Sequence, residues 1–145
     1  MAALDTGSAA DDFTRDGFLV LPAVLTAPEV SELNAAIEAH RAEFPALWPD
    51  RGEGGRCQSV TALLGIPGFD RGILHPEVLP LVKALIGENV VFEEHSVMVR
   101  APIDGDPPPT SWHRDVAHDP ELPLRLRALS VVYYLTDVDA GTHCF

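Results

Sequence analysis

The sequence predicts an α+β or mainly-β domain with helices packed on one side of a sheet. Two segments with apolar residues at helical spacing come first, and several β-branched segments follow after Gly87. Stretches rich in proline and glycine separate them. The chain has 145 residues, 46% hydrophobic and 22% charged, which is enough apolar material for one core. A formal net charge of -12 argues against a phosphate-backbone binder, which needs a basic face. No run approaches the roughly 18 apolar residues of a membrane span. Met1 to Asp12 lacks the basic and apolar regions of a secretory signal. Cys57 and Cys144 are too few for a disulfide framework and lack metal-ligand spacing. A soluble, cytoplasmic chain without nucleic-acid or membrane partners is expected.

Residues 1–12 read as a flexible tail, and residues 13–145 as part of a single domain. Gly17 to Leu21 reads as a short buried strand closed by Pro22. Thr26, Pro28 and Glu29 form an N-terminal helix signature, T-x-x-E with proline in the first turn. Val30, Leu33, Ile37, His40 and Phe44 then make one apolar stripe that stops before Pro45. Residues 45–75 carry nine prolines and glycines and read as loop or lid. A second helix is expected over Pro76 to Ile86, stopped by Gly87. Val90 to Arg100 reads as one long or two short strands, Trp112 to Val116 as a strand, and Ala128 to Thr136 as the best strand of all. Asp137 to Gly141 reads as a turn, with a strand-like run at Thr142 to Phe145.

The candidate chemistry lies in Trp112-His113-Arg114-Asp115. On a strand, alternate side chains share a face, so His113 and Asp115 point the same way with Cα atoms about 6.5–7 Å apart. An imidazole and a carboxylate so placed can meet at one metal ion. They make up two thirds of the 2-His-1-carboxylate triad of non-haem Fe(II) oxygenases, which leaves positions open for a co-substrate and dioxygen. An H-x-D of this kind arises by chance about once in two chains of this composition, so its context must carry the weight. His75-Pro76-Glu77 is an H-x-E at a helix start and reads as structural.

That context is an ordered set of motifs. It comprises F-x-x-D-G-F-L-V-L-P at Phe13 to Pro22 with the helix after it, His75-Pro76 and Gly87 around the second helix, and W-H-R-D at 112–115. R-A-L-S-V-V-Y-Y-L-T-D-V-D at 127–139 and G-T-H-C-F at 141–145 complete it. From Phe13 onward the chain resembles the phytanoyl-CoA dioxygenase family, Fe(II)- and 2-oxoglutarate-dependent oxygenases on a double-stranded β-helix, or jelly roll. The resemblance implies a mainly-β fold with flanking helices, forming part of that jelly roll. It implies hydroxylation of an aliphatic C–H bond of a small molecule, with Fe(II) as cofactor and 2-oxoglutarate as co-substrate. His113 and Asp115 would be the first two iron ligands. Tyr133 and Ser130 would lie on the strand facing 2-oxoglutarate, although their opposite parity lets both face the barrel only across a bulge. The family's third ligand, a distal histidine, and its 2-oxoglutarate-pairing arginine have no counterpart here. The chain is therefore expected to be an N-terminal fragment, with catalysis dependent on a missing C-terminal part. The alternatives are an inactive truncated product and a non-redox metal- or ligand-binding jelly-roll module.

The remaining candidates have blander readings. His143 sits in a segment that matches a non-ligand part of the family, and His118 reads as lining the substrate mouth or facing solvent. His95 reads as a satisfied strand histidine and His40 as packing. Trp112 reads as a core aromatic, and Cys57 and Cys144 as buried thiols.

Overall fold

The computed structural model describes residues 5–51, 55–101 and 128–138. They fall into two compact units. The first holds residues 5–26, 71–92 and 128–132, and the second holds 27–51, 55–70, 93–101 and 133–138.

In the first unit, α1 (Thr6–Asp16) packs on α5 (Val78–Ile86). Asp5 caps α1, its carboxylate accepting from the Gly7 N–H at 3.1 Å. Gly17 ends it in the left-handed conformation (φ 79°), donating its N–H to the Phe13 carbonyl at 2.8 Å. Ala9, Val78 and Leu81 are the buried apolar side chains of this pair. Helix α5 ends at Gly87, whose φ of 103° few other residues adopt. The tail expected over residues 1–12 is thus largely helical in its described part, and α1 ends just before the expected strand.

In the second unit, α2 (Ala27–Glu43) starts directly after Thr26 and ends before Pro45, as its capping signature and proline stop predict. Its buried residues are Ile37 and His40. A 3-10 turn at Pro45–Leu47 delivers Trp48 to the same core. Strand β1 (Arg56–Ser59) then pairs antiparallel with β2 (Val97–Arg100), in the register Cys57↔Val99 and Ser59↔Val97. Those four side chains turn inward, whereas Met98 on the opposite face is 58% exposed. After β1 come α3 (Ala62–Gly65), a 3-10 turn (Pro67–Phe69) and α4 (Asp70–Ile73), of which only Asp70 belongs to this unit. The core joins Ile37, Trp48, Ala62, Ile66, Phe69 and Val97. Burying each large member contributes about 1.5–3 kcal/mol.

Residues 133–138 are tied to this core at Leu135, which packs against it and whose carbonyl accepts from Asn34 Nδ2 at 2.7 Å. Asn34→Ala leaves that part-buried carbonyl unpaired, and denaturant unfolding should register a loss of about 1 kcal/mol.

The jelly-roll expectation is not met. About half of the described residues are helical, and the only ladder among them, apart from one isolated bridge between Asp50 and Cys57, is the open β1–β2 pair. Three segments expected as strands, at residues 17–21, 90–92 and 128–136, form no ladder among the described residues. Phe18, Val20, Val91 and Val132 are more than half exposed there. β-Branched residues favour a pleated, half-buried surface rather than dictate one, so their presence alone does not make a ladder. Conversely, the 45–75 segment read as lid contains β1 and short helices that supply much of the core. The expected strands at Trp112 to Val116 and Thr142 to Phe145 lie outside the described residues.

Candidate functional site

Of the four residues assigned to the site, the structure describes Ser130 and Tyr133. His113 and Asp115, with Trp112, His118 and His143, lie outside the described residues. Ser130 is exposed and belongs to the first unit, while Tyr133 is half-buried and belongs to the second. Tyr133 and Leu135 are both half-buried and Tyr134 between them is 48% exposed, the alternation of an extended segment. Tyr133 therefore shares the inward parity of Leu135. Burial pushes its phenol up from the ordinary value, because the phenolate is the form that loses hydration. A neutral Tyr133 is a hydrogen-bond donor over a wide pH range.

The anchor of this segment, Asn34, carries no local signal in the sequence. Its bond to Leu135 spans 101 residues, and only the assembled core reveals it.

The described histidines separate by environment. His40 is 7% exposed, and its Nδ1 accepts the Trp48 indole N–H at 3.0 Å. That bond places the proton of the neutral ring on Nε2. The ring also packs against Phe44, 5.0 Å between centroids, so His40 is the packing residue its helix position suggests. His75 accepts the Glu77 N–H on Nδ1 at 3.2 Å, next to the start of α5, which supports its structural reading. His95 departs from expectation. Its Nδ1 is buried with no partner among the described residues, so it is not a satisfied strand histidine. Burial moves its titration downward.

Among the described residues each unit carries a shallow groove. One of about 350 Å³ lies beside Arg41, Trp48 and Cys57, and one of about 380 Å³ beside His75 and Lys83. Neither is lined by Ser130 or Tyr133. Among the described residues, no group of three His, Cys, Asp or Glu side chains is placed to hold a metal ion. The donor set read from the sequence rests on W-H-R-D, which lies outside the described residues.

The family model for phytanoyl-CoA dioxygenase (PhyH) matches residues 13–145, with W-H-R-D inside the match. The chain belongs to the phytanoyl-CoA dioxygenase family. No curated protein and no solved structure matches it. At family level the activity is that of an Fe(II)- and 2-oxoglutarate-dependent oxygenase, the class expected from the ordered motifs. Among the described residues no helix is long and apolar enough to cross a membrane.

Proposed function

We propose that this chain of the phytanoyl-CoA dioxygenase family takes part in hydroxylating an aliphatic C–H bond of a small molecule, with 2-oxoglutarate as co-substrate. The observation that carries the reading is the family match over residues 13–145, which includes W-H-R-D. In this reading His113 offers a neutral imidazole nitrogen and Asp115 a carboxylate oxygen to Fe(II), a mixed set suited to that ion. Bound Fe(II) supplies the activation of dioxygen. Tyr133 contributes a proton-bearing phenol to a carboxylate oxygen of 2-oxoglutarate. An ordinary phenol is already neutral near pH 7, and burial keeps Tyr133 neutral to higher pH, which is compatible with donation to a carboxylate.

The test is formation of succinate from 2-oxoglutarate in air, with and without Fe(II). Fe(II)-dependent succinate supports the oxygenase. Fe(II) binding with 2-oxoglutarate left intact would show a non-redox binding module instead. Tyr133→Phe removes one hydrogen bond to a charged group, a loss of about 1.5–3 kcal/mol. The 2-oxoglutarate concentration for half-maximal succinate should therefore rise at least tenfold, and an unchanged value would remove Tyr133 from the site.

A further inference from the structure

We propose that the contact between His95 and Phe69 is an acid-sensitive clasp on the core of the second unit, closed while the imidazole is neutral and opened by its protonation. The two rings lie 4.7 Å apart between centroids, tilted by 50°. Phe69 is a core residue only 8% exposed. His95 stands two residues before Val97, another core member and the first residue of β2. The contact therefore ties the Pro67–Phe69 turn to the approach of β2.

The clasp's sensitivity resides at Nδ1. This atom is buried and has no hydrogen-bond partner among the described residues. A neutral ring keeps its proton on Nε2 and leaves Nδ1 a bare acceptor. A charged ring must place a proton on Nδ1 as well, which creates a buried charged donor with nothing to receive it. The acidic groups nearest along the two contacting segments are Glu93 and Glu94 before His95 and Asp70 after Phe69. All three are exposed. Burial is the sole cause that moves the His95 titration, and it moves it down, so these carboxylates do not offset the cost.

The unfolded chain then takes up the proton more readily than the folded one. Stability is unaffected above the ordinary imidazole value of 6.5. It falls as pH drops through that value, and the loss levels off below the lowered folded value. Leu135 packs on the same core, so acid also loosens the support of the segment that carries Tyr133.

The experiment titrates the His95 ring by NMR in the 145-residue chain and measures unfolding by denaturant at about pH 8 and about pH 5, either side of the ordinary histidine range. The same unfolding measurements are made on His95→Gln, which carries no charge at either pH. The expected result is a His95 ring that titrates below an ordinary imidazole. The folding constant of the unaltered chain should fall several-fold more on acidification than that of His95→Gln, with faster amide exchange over Val97–Arg100. A ring that titrates at or above the ordinary value, or equal acid losses in both chains, overturns the proposal. Should His95→Gln not fold, the ring titration and the β2 exchange of the unaltered chain decide it, because separate midpoints for the two would break the link.

Discussion

Gly65→Ala is expected to destabilise the second unit by about 1–3 kcal/mol, a sizeable share of the roughly 5–15 kcal/mol that holds an ordinary domain together. A Cβ on Gly65 would overlap His40 Nε2 and come within 2.6 Å of Cδ2. Non-bonded carbons prefer about 3.5–4.0 Å. His40 cannot yield cheaply, because its ring is buried, packs against Phe44 and Trp48, and accepts the Trp48 indole N–H. Relief therefore demands a shift of α2 against α3 or the loss of that hydrogen bond. Either route costs about 1–3 kcal/mol, by overpacking in the first case and by an orphaned buried donor in the second. The check is a double-mutant cycle by denaturant unfolding. In a His40→Ala background the obstructing ring is gone, and Gly65→Ala should then cost less than about 1 kcal/mol. An equal penalty in both backgrounds would show that the His40 ring is not the cause.

His113→Ala and Asp115→Ala are expected to abolish Fe(II)-dependent succinate formation. Disturbing an outer-shell partner of a metal site costs about 10–100-fold, and loss of a direct ligand should exceed that. The two variants should also bind Fe(II) more weakly, a readout independent of turnover. His75→Ala is the matched control. His75 belongs to an H-x-E of similar appearance, but it accepts a backbone N–H next to the start of α5. Its loss should cost about 1 kcal/mol of stability and leave metal binding unchanged. Normal turnover by both His113→Ala and Asp115→Ala would remove the metal assignment. A similar loss on His75→Ala would show that the assay reports folding rather than ligation.

The positions that resisted reading share a cause. Asp5 and Gly17 are good cap residues, yet the helix between them was missed because few large apolar residues mark its buried face. Strand β1 was hidden in a stretch dense with proline and glycine, and its partner β2 lies about forty residues away. The segment at 128–136 looked like the strongest strand and forms no ladder among the described residues. At the candidate site, the opposite parity of Ser130 and Tyr133 was legible. That Tyr133 is the half-buried one was not, because it depends on Leu135 reaching the core beneath α2.

The sequence by itself determined the extent of α2 between Thr26 and Pro45, the stop of α5 at Gly87 and the strand character of Val97–Arg100. It also determined the motif order that places the chain in its family. Caps, proline stops and H-x-D spacing act over a few residues and can be read locally. Only the tertiary structure decided which β-branched segments found a partner. It alone showed that His40 is hydrogen-bonded while His95 has a buried nitrogen without a partner among the described residues, and that Gly65 must lack a side chain. Those outcomes depend on atoms brought together from distant parts of the chain, where a ladder edge, a missing acceptor or a ring against a backbone exists only once the core has formed.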